Sequence, residues 1–193
     1  MVPPVPEPGS FGEFDKLVVS RWRLDGRKME LVDSIAFVDA TGLRWEVPSG
    51  AVVDGASIPP IFWSLIGGPY EGLYRDASVV HDYECDVKRR PWRSVHRMFW
   101  YAARARGESE ALANLMYWAI MVAGPRWPTS VVPPSLSERD VLTAQLYFER
   151  HPPTSLDDID ALTLDAVRAM NVTDPELADA RARITASRSA SRR

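Results

Sequence analysis

Six side chains in this chain have types and spacings that suit chemistry. His81 and Asp82 are adjacent, Cys85 lies four residues and His96 fifteen residues after His81, and Asp54 and Ser57 lie upstream. A neutral imidazole can act as a general base near pH 7, and a neighbouring carboxylate can hold a cation or orient the ring. Adjacent helical residues point about 100° apart, so a His-Asp pair rarely serves one packing duty. On a helix His81 and Cys85 share a face at i, i+4, and Asp82 and Asp86 share the adjoining one.

If the chain reverses at Arg89 to Pro91, Cys85 and His96 come level across an antiparallel helix pair, with His81 about one turn further along. His81, Cys85 and His96 then offer three soft-to-borderline ligands, with Asp82 or Asp54 as a fourth. That set suits zinc. The plain alternative is a buried, hydrogen-bonded His81, a Cys85 acting as a small hydrophobe, and solvated carboxylates at 82, 84 and 86. Asp54-Gly55-Ala56-Ser57 places a carboxylate and a hydroxyl around a permissive glycine, an arrangement that also serves as an Asx-turn or a helix cap. Ser57 lacks the Gly-x-Ser-x-Gly setting of a nucleophile elbow, which argues against a serine hydrolase.

The elements that must position these residues follow from periodicity and punctuation. Leu17 to Leu24, Lys28 to Val32, Ser34 to Val38, Leu43 to Val47 and Val52-Val53 read as short strands, with turns at Asp25-Gly26 and Ala40-Thr41-Gly42. Ile58 to Ile66 predicts a short helix with Pro59 or Pro60 in its first turn, and Gly67 to Gly72 a loop. Leu73 to Lys88, Trp92 to Arg106 and Ser109 to Ala123 predict three helices, separated by Pro91, stopped by Gly107 and ended by Gly124-Pro125. Trp63, Tyr74, Phe99, Trp100, Tyr117 and Trp118 fall on helical faces as core. Pro128, Pro133 and Pro134 mark an extended crossing. Ser137 to Arg150 and a Ser155-capped stretch through Ala169 predict further helices, and the five arginines after Asp179 read as a frayed or disordered tail.

The fold class is therefore α+β: a small N-terminal antiparallel β-meander, a compact three-helix antiparallel core and a mainly helical C-terminal extension. The divisions are a Pro-rich arm at 1–12, one α+β domain at 13–127, and the extension at 128–193. A length of 193 residues fits one domain with extensions, and 46% hydrophobic residues can fill a core. The net charge of -3 argues against wholesale nucleic-acid binding. A single cysteine excludes an internal disulfide. Met1 to Ser10 has no apolar signal-peptide core, and no apolar run approaches the ~20 residues of a membrane span. These features predict a soluble protein of a reducing compartment, without a signal peptide for secretion.

Val47-Pro48-Ser49-Gly50, Asp54-Gly55-Ala56-Ser57-Ile58-Pro59, Phe62-Trp63, His81-Asp82 and Phe99, with the later Met116-Tyr117 and Val122-Ala123-Gly124, together resemble the bacterial and phage family called domain of unknown function 1353, over about Lys16 to Trp127. The resemblance implies a phage or prophage setting, in the cytoplasm of a host cell or in a virion, with phage structural proteins or further copies of the chain as partners. The chain has Cys85 where that family usually has Tyr, and His96 where it usually has Asp; both changes touch the site. More distantly, the His-Asp helix pair is similar to the core of phospholipase A2 enzymes. That likeness implies His81 as the base activating water, Asp82 as a calcium ligand and carbonyls of Gly67 to Gly72 completing the cation shell.

Two functions follow. One is a metal-assisted hydrolase-like site with His81, Asp82 and Asp54 as catalytic residues, and Asp82, His81, His96 and Cys85 as ligands to calcium or zinc; its substrate would be an ester, an amide or cell-wall material. The other is a non-enzymatic virion, tail or assembly component in which His81 hydrogen-bonds Asp54 or Ser57 and braces the fold.

Overall fold

The computed structural model describes residues 11–25, 28–55, 57, 59, 61–65, 67–68 and 72–190. Most of the Pro-rich arm, Gly26 of the first turn, Pro60, the middle of the Gly67 to Gly72 loop and the last three residues lie outside them, as does the side chain of Trp63. The architecture is the expected α+β order of an antiparallel β region, a helical core and C-terminal helices. Strands β1 (Glu13–Phe14), β2 (Ser20–Trp22), β3 (Met29–Leu31), β4 (Ile35–Val38), β5 (Arg44–Val47) and β6 (Val52–Val53) come first. They divide between two three-stranded sheets, ordered β1-β4-β5 and β2-β3-β6. The β4–β5 hairpin pairs Ile35 with Val47 and Val38 with Arg44. Its alternation is clean, with Trp45 and Val47 buried and Arg44 and Glu46 exposed, as a half-buried strand requires. In the second sheet β6 pairs with β3, matching Met29 with Val53, and so delivers the chain at Asp54 directly onto the helices.

Helix α1 (Ile61–Leu65) is short, and three longer helices follow: α2 (Arg75–Val87), α3 (Trp92–Ala105) and α4 (Glu110–Ala123). Lys88 closes α2 in the left-handed region (φ 54), its N–H returning to the Glu84 carbonyl. Pro91 then opens α3 as its N-cap residue. This tight reversal sets α2 antiparallel to α3. Gly107 (φ 88) turns the chain again, and the Ser109 side chain caps α4 by accepting from the Leu112 N–H. Residues Leu112 to Met121 of α4 are buried without exception, so this helix is apolar all round as a central element must be.

The C-terminal helices α5 (Glu138–Arg150), α6 (Leu156–Ala161), α7 (Leu164–Arg168) and α8 (Asp174–Ala190) pack on that central helix and on one another. The single helix expected from Ser155 to Ala169 is two, because Thr163 caps α7 by accepting from the Ala166 N–H just after Leu162 has taken an extended backbone. The arginine-rich tail is helical to Ala190 rather than frayed. Ala180 and Ile184 are buried, and Arg150 and Arg183 pair with Glu176 and Glu149 between α5 and α8. Buried apolar residues form one cluster that runs from Met29 to Ile184. Among the described residues no helix is long and apolar enough to cross a membrane.

Candidate metal centre

The centre forms where α2 and α3 face each other beneath the 54–57 loop. His81 and Cys85 lie one turn apart on α2, and His96 reaches across from α3. All three are buried, and one ligand atom from each lies within 4.8 Å of the others. His81 Nε2 is 2.9 Å from His96 Nδ1, and Cys85 Sγ is 3.7 Å from His81 Nε2. Tetrahedral zinc at about 2.0 Å from nitrogen and about 2.3 Å from sulfur needs nitrogen atoms about 3.3 Å apart and nitrogen about 3.6 Å from sulfur. The cluster is thus geometrically compatible with a divalent metal ion. Two imidazoles and a thiolate form a donor set for zinc, whereas calcium requires oxygen.

Electrostatics keep the ligand set uncharged when no ion is bound. Burial lowers the pKa of His81 to about 3. His96 is also held well below the usual histidine range, first by burial and then by the His81 ring, with Arg126 and Arg93 adding and the Pro125 backbone opposing. Burial pushes the Cys85 thiol far up, reinforced by the charges of Asp82, Asp86 and Glu84. An incoming cation would reverse that balance at sulfur, because a coordinating thiol is deprotonated by the ion's own charge.

Asp82 is placed for a different task. Its Oδ2 accepts from the Asp54 N–H at 2.8 Å and the Gly55 N–H at 3.1 Å, and its Oδ1 from the Ser57 N–H at 3.3 Å. Gly55 takes φ 71 here, which an L side chain resists, and so lets successive amides converge on the carboxylate. Three inward-pointing N–H groups make an anion-holding cradle, the opposite of a cation shell. Asp82 is thus held by the loop amides, and the three converging ligand atoms belong to His81, Cys85 and His96. Asp54 contributes its backbone amide to this clamp, and its charge, after burial and Asp82, raises the pKa of Asp86. Ser57 joins the centre directly, with its Oγ 3.0 Å from His81 Nδ1, so the expected histidine-to-loop bond goes to Ser57. The Gly67 and Gly68 carbonyls, which the phospholipase likeness assigned to a calcium shell, instead accept from the Tyr74 hydroxyl at 3.1 and 3.0 Å.

Sequence reasoning read Phe99 only as core and part of the family pattern, took Glu84 in its plain alternative as solvated, and gave Trp92 and Trp127 no role at the site. Phe99 meets the His81 ring edge-on at 5.3 Å, and Trp92 and Trp127 meet His96 at 5.3 and 6.4 Å. Trp92 precedes His96 by four residues on one helix face, a spacing that could have pointed to it. Glu84 is fully buried and pairs with Arg89 at 2.8 Å and Arg90 at 3.4 Å. Arg90 lies over the Trp45 ring at 4.1 Å and donates to the Arg44 carbonyl, pinning the α2–α3 turn to β5. A cleft of about 420 Å³ lined by Arg44, Glu46, Arg89 and Arg90 opens at this turn, and none of the three ligands lines it.

Residues 29–120 match the family described as "Protein of unknown function (DUF1353)", inside the span where the sequence resembles it. The chain is 52% identical over 98 residues to "Uncharacterized protein y4jT" of Sinorhizobium fredii (strain NBRC 101917 / NGR234), covering 51% of this chain and 29% of that protein. It is 38% identical over 91 residues to "Uncharacterized protein y4iH" of the same strain, covering 47% of this chain and 38% of that protein. The chain thus spans only about a third of the length of these curated relatives. No solved structure matches it.

Proposed function

We propose that this chain is a metal-stabilised, non-enzymatic assembly component, in which a zinc-type centre of His81, Cys85 and His96 staples α2 to α3 beneath the 54–57 loop. The observation that carries this reading is that the buried Asp82 accepts from three backbone N–H groups while the buried His81 is hydrogen-bonded to Ser57 and to His96. A brace needs inward satisfaction of this kind; a hydrolase needs groups turned toward a substrate. The family resemblance alone supports the phage or prophage setting, where other structural proteins or further copies would be the partners.

A thermal-shift titration tests the proposal. Zinc should raise the midpoint of the native chain, by roughly 2.7 kcal/mol of stabilisation at a hundredfold excess over Kd. Calcium should leave it unmoved. His81→Ala should lose the zinc response, and Asp82→Asn should keep it. A calcium shift that Asp82→Asn abolishes would restore the hydrolase-like site.

One observation favours a different catalytic reading, an acyl-transfer site with Ser57 as nucleophile. The Ser57, His81 and His96 spacings of 3.0 and 2.9 Å are those of a nucleophile, its base and the base's orienter. A serine-directed phosphonylating probe separates the two, since a brace leaves Ser57 unlabelled and an acyl-transfer site labels it.

A further inference from the structure

The cleft at the α2–α3 turn is lined by charge. Arg44 and Glu46, the outward-facing residues of β5, form one side, and Arg89 and Arg90 of the turn form the other. Its volume of about 420 Å³ is that of a small-molecule site. Four of the six residues from Lys88 to Arg93 are cationic, in a chain whose net charge is -3. The positive charge is therefore concentrated here against the overall balance.

The guanidinium groups are held in place before any ligand arrives. Arg90 lies over the Trp45 ring at 4.1 Å and donates to the Arg44 carbonyl at 2.9 Å. Arg89 lies over the Tyr83 ring at 5.4 Å and donates to the Glu46 carbonyl at 3.4 Å. Rotamer freedom lost in folding is not lost again on binding. Their charges are also incompletely met. One oxygen of the buried Glu84 serves both Arg89 and Arg90, at 2.8 and 3.4 Å, and its Oε2 makes no hydrogen bond among the described residues. Arg44 reaches Glu46 at 3.4 Å and Asp15 at 3.5 Å, longer than the roughly 2.7–2.9 Å of a charge-assisted bond. A guanidinium has five N–H donors, so these contacts leave donors over on all three arginines.

We propose that this cleft binds the phosphate group of a small phosphorylated molecule, with Arg44, Arg89 and Arg90 as its donors and Glu46 as the acid that limits its affinity. A phosphate carries oxygens on several sides and can accept from β5 and from the turn at once, whereas a carboxylate offers a single edge to a single guanidinium fork. The site is independent of the metal reading, because His81, Cys85 and His96 do not line the cleft.

Inorganic diphosphate is titrated calorimetrically into the full chain at low salt, with the arginine Nε–H signals recorded in parallel. Arg44 and Glu46 stand on the exposed face of β5, so substituting either leaves the core untouched. Affinity should fall about tenfold in Arg44→Gln, the worth of a hydrogen bond between charged groups, and rise about two- to fivefold in Glu46→Gln. Arg183→Gln and Cys85→Ser should leave it unchanged, and added salt should weaken it. The Nε–H signals of Arg44, Arg89 and Arg90 should shift in the native chain, which reads the site without any substitution. A single-stranded oligothymidylate that binds no more tightly than diphosphate supports a small ligand; one that binds far more tightly, and loses affinity in Arg44→Gln, overturns the small molecule and makes a nucleic-acid strand the source of the phosphate. Citrate binding as tightly as diphosphate overturns the phosphate assignment. No diphosphate binding, or binding that Arg44→Gln leaves unchanged or Cys85→Ser abolishes, overturns the site.

Discussion

The 54–57 loop and the C-terminal helices are both tied to the central helices by polar contacts, and by opposite means. At the loop the ties are buried: one carboxylate gathers three backbone N–H groups, and two imidazoles are linked to a hydroxyl. At the C-terminal side most charged ties are exposed or half-exposed ion pairs, among them Arg97 with Asp157 and Asp160, Arg183 with Glu149 and Arg150 with Glu176. There the apolar faces of α4, α5 and α8 bury the area, and the ions decorate the rim. Exposed pairs are worth little, whereas a buried polar group left without its partner is costly. Chemistry and stability are therefore coupled at the loop and nearly separate at the C-terminal side.

Removing the clamp should produce the largest effect. Asp82→Ala strands three amide donors, and urea denaturation should show a loss of about 3–5 kcal/mol. A loss below about 1 kcal/mol would mean that the loop is held by something else. Acid should come next. Both imidazoles have folded-state pKa values below the ordinary 6.5, so between that value and the lowered one the unfolded chain binds more protons. Stability in the metal-free protein is then whole above pH 6.5 and drains as pH falls toward 3, by up to roughly 1.4 kcal/mol per pH unit for each histidine. Denaturation curves at pH 7 and pH 5 should differ by a few kcal/mol, and His96→Phe should flatten the difference.

The C-terminal side should respond more weakly. Tyr117 donates to Asp160 at 2.7 Å, and Tyr117→Phe should cost about 1.5–2 kcal/mol by chemical denaturation, the value of a hydrogen bond to a charged group. Arg183→Ala, at an exposed pair, should cost under about 1 kcal/mol and lose even that at high salt. Equal losses at Asp82 and Arg183 would erase the contrast between the two regions.

Much of the centre was legible because it is local. The i, i+4 spacing of His81 and Cys85 and the Pro91 break suffice to bring His96 level with them across the turn. The role of Asp82 was not legible, since its donors lie 25 to 28 residues away and reach it only through the pairing of β3 with β6. The split into two sheets was hidden for a similar reason: β1 and β6 are two residues long, too short for alternation to show. In the tail, composition suggested disorder, but Ala180 and Ile184 fall four apart and give α8 a buried stripe against its neighbours. The break at Leu162 was written in Thr163, a cap residue inside what periodicity read as one helix.

On the proposed reading an ion would sit among His81, Cys85 and His96, without Asp82 as a ligand. Titrating the metal-free protein with cobalt(II) and recording the visible and near-ultraviolet spectrum tests it most directly. The expected result is a tetrahedral spectrum with a thiolate-to-cobalt charge-transfer band that saturates at a single equivalent, disappears in Cys85→Ser and persists in Asp82→Asn. A pale octahedral spectrum without that band, or a band lost in Asp82→Asn, would contradict it.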